Sequence, residues 1–161
     1  LAFETKAGSF VLNTATGNQT ITGVGFQPTA ILFFASGSTV EGTSAVDARY
    51  SYGMTDGTND WVGAVTAEDA LATHTERVQD TSEIINFMNP ASAVVDVIVT
   101  HVSMNSDGFV INVGTNTNSE AVLVKYFAIG GTTNVVVGQV LASASPVTTL
   151  GFQPNLLFAM C

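Results

Sequence analysis

The sequence predicts an all-β fold built from antiparallel strands, and three observations carry that expectation. Apolar runs recur at short intervals between turn residues, the spacing of a sandwich or barrel. The polar residues are mostly Thr, Ser, Asn and Gly, while the Lys, Glu, Arg and Leu of long amphipathic helices are scarce; Thr and Val suit pleated strands, and Asn and Gly suit turns. A Gly-Phe-Gln-Pro phrase occurs at Gly25-Phe26-Gln27-Pro28 and returns at Gly151-Phe152-Gln153-Pro154. A chain of 161 residues fits one domain and can bury a core without disulfides or metals.

The expected strands follow in order. Phe10-Val11-Leu12 opens the series. Residues 29–35 (TAILFFA) are apolar on both faces, as an inner strand requires. Residues 48–54 alternate, with Ala48, Tyr50, Tyr52 and Met54 on one face and Arg49, Ser51 and Gly53 on the other; the tyrosines beside Met54 read as core. Residues 61–66 follow the polar turn 56–60, and residues 82–88 end at Asn89-Pro90, a turn signal. Residues 94–104 are long and β-branched, Asn105-Ser106-Asp107-Gly108 is a hairpin signal, and residues 109–113 return. Residues 121–129 and 135–141, joined around Gly130-Gly131, read as a further antiparallel pair. Residues 64–80 contain the one stretch with a helical start, Glu68-Asp69-Ala70-Leu71, but Thr66, Thr73, Thr75, Val78 and Thr81 weaken it. The expectation there is a loop with an edge strand.

The repeated phrase is a structural device. Gly allows a backbone conformation closed to other residues. Phe can plug the core at a corner. Pro fixes its own φ, pushes the preceding Gln towards extended backbone, and suits the first residue of a strand. The flanks match too: Ile21, Thr22 and Val24 with Val147, Thr148 and Leu150; Ile31 and Leu32 with Leu157 and Phe158; Gly8, Val11 and Leu12 with Gly138, Val140 and Leu141. With the copies 126 residues apart, the chain divides into a β-sandwich unit over 1–134 and, over 135–161, either closing strands or the start of a second unit. Two equivalent corners on facing sheets of one sandwich would also produce the repeat. The apolar run 156–161, in which the chain stops, favours a piece of a longer tandem array, and the start at Leu1 in place of Met implies a processed or incomplete chain.

Composition narrows the function. Only 11% of residues are charged, against about 25% in an ordinary domain, so the surface is largely hydroxyl, amide and backbone and repels neighbours weakly. Such a surface suits burial against other subunits and equally suits a secreted protein with a Thr/Asn-rich exterior. Net charge is −9 with four Lys and Arg, which argues against nucleic acid and against an anionic membrane surface as partners. No stretch has the length of a transmembrane helix, and no signal peptide is visible. Cys161 is the single cysteine, which excludes an intrachain disulfide in this chain.

Candidates for chemistry are few. His74 and His101 lie outside any metal-ligand spacing, and no Gly-x-Ser-x-Gly elbow supports a Ser-His-Asp set around His74, Glu76, Arg77 and Asp80. Asp56 and Asp60 flank a Gly-containing loop of the kind that can hold calcium, without the EF-hand pattern; a solvated turn is the preferred reading. Asp47, Glu68, Asp69, Glu76 and Glu83 could supply a glycosidase pair, as any acidic chain could. Trp61, Tyr50 and Tyr52 could form a sugar platform. Asn18-Gln19-Thr20 is a glycosylation sequon. No catalytic, cofactor-binding or metal-binding residue is assigned on these grounds, no cofactor is expected, and no enzymatic activity is expected.

The stretch from Thr22 to Phe34, with its counterpart from Thr148 to Phe158, the hairpin Ser106-Asp107-Gly108-Phe109 and the run Tyr126-Phe127-Ala128-Ile129-Gly130-Gly131 resemble virion structural proteins of tailed phages and related viruses. That resemblance implies a β-sandwich of jelly-roll-like type and a structural role in capsid decoration, a tail or a fibre. The implied partners are copies of itself and other virion proteins, with a host-surface glycan as a further candidate, and the implied location is the virion or extracellular space. The alternative is a carbohydrate-binding module of lectin-like sandwich type; a hydrolase domain ranks last.

Overall fold

The computed structural model describes residues 2–70, 75–92, 94–131, 134–139, 150–154 and 157–159. Ten strands form two antiparallel sheets packed as a sandwich, and no helix occurs among the described residues. The strands are β1 (Glu4–Val11), β2 (Gly17–Thr22), β3 (Pro28–Ala35), β4 (Ala48–Thr55), β5 (Asp60–Ala67), β6 (Thr75–Asp80), β7 (Ile85–Met88), β8 (Val95–Asn105), β9 (Gly108–Asn116) and β10 (Leu123–Gly130). The six-stranded sheet has the order β1-β10-β3-β4-β5-β6 and the four-stranded sheet β2-β9-β8-β7. Strands β3 to β6 and β7 to β9 run as meanders, while β10 crosses back to insert between β1 and β3.

The inner faces meet in one core. Phe33 (β3) and Tyr126 (β10) from the larger sheet pack edge-on against Phe109 (β9) from the smaller, at centroid separations of 5.7 and 5.3 Å. Phe10 of β1 joins them 6.1 Å from Phe109. Ile31, Val97, Val99, Ile111, Val113 and Val124 are fully buried around this cluster. Small residues make room for the rings: Gly8 pairs directly with Tyr126, and a side chain on Gly8 would run into that ring.

The expected inner strand is confirmed as β3, flanked by β10 and β4, and residues 75–80 form the edge strand β6. Two expectations are corrected. Residues 121–129 do not pair with 135–139: β10 lies between β1 and β3, and residues 134–139 join no ladder, while 140 and 141 of the expected strand lie outside the described residues. β10 finds both partners far away in sequence, which local spacing does not reveal. The second correction concerns β4. Its alternation is real, but Ser51, Gly53 and Thr55 face the core, whereas Tyr50 and Tyr52 face outward. The smaller sheet approaches so closely here that a side chain on Gly53 would collide with the carbonyl of Ile84. That approach excludes a larger side chain at Gly53.

The Gly-Phe-Gln-Pro corner works as a strand launcher. Gly25 has φ 91° and Pro28 begins β3. Phe26 packs against the core and lies over Gly130, whose position a larger residue would deny it. Gln27 Nε2 donates to the carbonyl of Met104, 2.9 Å away. Gly151 repeats the turn, with φ 71°. The second copy does not occupy the facing sheet: Phe152, Gln153 and Pro154 border a cavity on the outer face of the six-stranded sheet, with Ala30 and Leu32 on the opposite wall.

Candidate functional site

The outer face of the six-stranded sheet is unusually apolar. Register places Phe127 of β10, Leu32 and Phe34 of β3, Met54, Tyr52 and Tyr50 of β4, and Trp61 and Val65 of β5 on that face. Two concavities divide it. One, of about 540 Å³, lies between the sheet and residues 134–137, 150, 152–154, 157 and 158 and is lined by Leu32, Met54, Ile129, Val137, Leu150 and Phe152 among others. Val137 is tied there by its amide, which donates to Asp56 Oδ2 at 2.8 Å.

The other is an open groove of about 620 Å³ beneath the loop of residues 36–47. Its floor carries Phe34, Tyr50 and Tyr52, and its walls carry Ser36, Ser38, Glu41, Thr43 and Lys125. Phe34 stands opposite both Tyr52 and Lys125 across its two ladders. Tyr52 lies over Gly63, with its ring centre 5.7 Å from that of Trp61. Glu41 and Lys125 form an ion pair at the rim.

Of the suggested platform, Tyr50 and Tyr52 therefore share a groove, but Trp61 is only 6% exposed and supports Tyr52 from the side. Phe34 takes the third place. The sequence offers only an inner strand, apolar on both faces, over residues 29–35; the place of Phe34 in the groove follows from its register with Tyr52, which no local pattern encodes.

A buried charge cluster sits on the inner side of β4. Both Glu120 carboxylate oxygens accept from Arg49 Nη1 at 2.8 Å, and Arg49 Nη2 stands 3.6 Å from Asp96 Oδ2. The guanidinium lies 5.1 Å from the centre of the Phe87 ring, within cation–π range. Burial pushes the Asp96 carboxyl above its ordinary value; Arg49 opposes that shift and Glu120 adds to it.

The other candidates disperse. His74 and Cys161 lie outside the described residues. His101 is on β8, opposite Ile111. Among the described residues, no group of three or more His, Cys, Asp or Glu side chains is placed to hold a metal ion. Asp56 Oδ1 accepts from the amides of Thr58 and Asn59, and Oδ2 from the side chain of Asn59 and the amide of Val137. Burial tends to raise its pKa, but these bonds outweigh it and hold the carboxyl below its usual range. Its oxygens thus serve a turn and a tether. Asp47 accepts from the Asp69 amide at 2.8 Å, whereas Glu83 is bound by Asn86 Nδ2 at 2.6 Å and is raised by burial. None of Asp47, Glu68, Asp69, Glu76 and Glu83 lines either concavity. Asn18 of the sequon accepts from Asn112 Nδ2 on the neighbouring strand.

The chain matches no protein-family model, no curated protein and no solved structure.

Proposed function

We propose that this protein is a structural subunit of an extracellular assembly, of virion type, acting by burial of its surface against copies of itself and neighbouring subunits. The observation that carries this reading is the cluster of exposed apolar side chains at one end of the outer sheet face. Phe3, Leu157 and Phe158 are 66%, 73% and 49% exposed and border the same concavity. Exposed apolar residues gathered in one place mark interaction surfaces more often than scattered ones do. The low charge density supports the same reading, because little charge has to be desolvated when such a face is covered. The virion assignment draws on the resemblance of the corner and hairpin phrases to phage structural proteins.

Sedimentation of the chain across a concentration series tests self-association. Phe3→Ser with Leu157→Ser is expected to shift the population towards monomer. A wild-type chain that stays monomeric at high concentration overturns self-association, and absence of the protein from purified particles by mass spectrometry overturns the virion role.

A further inference from the structure

The groove beneath residues 36–47 serves neither the core nor the assembly surface around Phe3 and Leu157. Its floor is a fixed aromatic platform. Phe34 and Tyr50 are 42% and 54% exposed, and Tyr52 is held in place over Gly63 beside Trp61. The walls add short hydroxyl side chains, Ser36, Ser38 and Thr43, together with the Glu41–Lys125 pair. Rigid tyrosines provide contact area at low entropic cost, and small hydroxyl residues provide adaptable hydrogen bonds.

We propose that this groove binds a neutral oligosaccharide. A pyranose ring has an apolar C–H face that can lie on Tyr50 and Phe34, while its hydroxyls can donate to Glu41 and the serine oxygens and accept from Lys125. The paired rim charges cancel, and the net charge of −9 disfavours an anionic ligand, so the sugar is uncharged. The volume of about 620 Å³ lies in the range of small-molecule sites. A protein partner is the competing occupant; the concave floor and hydroxyl-bearing walls fit a compact polyhydroxylated ligand better than a flat protein surface. This inference stands apart from the assembly reading, since Phe3 and Leu157 lie outside the groove.

The test is calorimetric titration of the whole chain with cellotetraose, xylotetraose, maltotetraose, mannotetraose and fully N-acetylated chitotetraose, with Trp61 fluorescence as a second signal. At least one sugar is expected to bind. Tyr50→Ala and Phe34→Ala should each weaken that binding about tenfold or more, the scale of an anchor residue, while Tyr50→Phe should stay within about threefold. Binding should be insensitive to added salt, because the ligand carries no charge. Matching circular dichroism spectra and melting temperatures will separate lost binding from lost folding. No binding of any of these sugars at millimolar concentration overturns the proposal, as does binding that survives both alanine substitutions undiminished. If Tyr50→Ala changes the sedimentation coefficient and no sugar binds, the groove is a protein interface and the proposal fails.

Discussion

Asp107, at the tip of the β8–β9 hairpin, caps the loop that launches β3: its Oδ1 accepts from the amide of Gly25 at 2.7 Å and its Oδ2 from the amide of Gly23 at 3.1 Å. The carbonyl of Asp107 also accepts from the amide of Val24 at 3.2 Å. An aspartate in a hairpin usually bonds to its own backbone; this one organises a turn more than 80 residues away. The hairpin of the smaller sheet thus fixes the entry of the central strand of the larger one.

Those bonds, Gly25 first and Gly23 second, hold the Asp107 carboxyl below its ordinary value of 3.8. A carboxylate lowered in the folded state contributes stability above its unfolded pKa and loses it as pH falls through the folded value. Asp107→Ala is expected to lower the urea midpoint at pH 7, and Asp107→Asn to lower it less. The gap between wild type and Asp107→Ala should narrow as pH drops below 3.8. Urea melts at pH 7, 4 and 2.5 (chosen to span that window) measure it; a gap independent of pH contradicts the charge-assisted cap.

The two copies of the corner should respond differently to one substitution. A Cβ at Gly25 or at Gly151 meets nothing within 4 Å, so alanine tests backbone strain alone. Gly25→Ala, at φ 91°, should cost about 1–2 kcal/mol, because the strand it launches is central to the sheet. Gly151→Ala, at φ 71°, strains a segment outside both sheets and should change global unfolding by less than about 0.5 kcal/mol. Denaturant melts of the two variants make the comparison, and equal losses would tie the second corner to the global fold.

Arg49→Ala should be strongly destabilising, because its side chain is mostly buried on the inner face of β4. It leaves Asp96 and Glu120 without their cation, and breaking a buried pair costs about 3–5 kcal/mol. The pH dependence has a definite sign. The Asp96 carboxyl is already raised by burial, and losing Arg49 raises it further. A raised carboxylate costs stability above its folded pKa, and that cost fades as pH falls towards the unfolded value. The deficit of Arg49→Ala is therefore expected to be smaller at pH 4 than at pH 7 in parallel urea melts; a constant deficit would mean that packing on Phe87, rather than charge, explains the loss.

Most strands were legible in the sequence because alternation and turn residues are local signals. The Pro28 strand start, the Asp107-Gly108 hairpin and the edge strand over residues 75–80 all rest on such signals. What the sequence concealed is which face of β4 points inward. Tyr50, Tyr52 and Met54 look like core, and Arg49, Ser51 and Gly53 look like surface. The inversion depends on the approach of Ile84 to Gly53 and on Asp96 and Glu120 arriving from distant segments to neutralise Arg49. The groove was half legible: Tyr50 and Tyr52 are platform candidates as aromatic residues, although their alternation with Met54 reads as core, and Phe34, Glu41 and Lys125 join them only through tertiary register.

The edges of the two sheets on one side of the sandwich are β1 and β2, consecutive in the chain, yet β1 pairs with β10 and β2 with β9. As the polypeptide leaves the ribosome, β1 must therefore wait, without its ladder partner, until Leu123–Gly130 has emerged. The β3–β6 meander can close in the meantime from neighbours alone. Such long-range closure makes for slow folding, and β1 locks into place only after strands synthesised well after it have emerged.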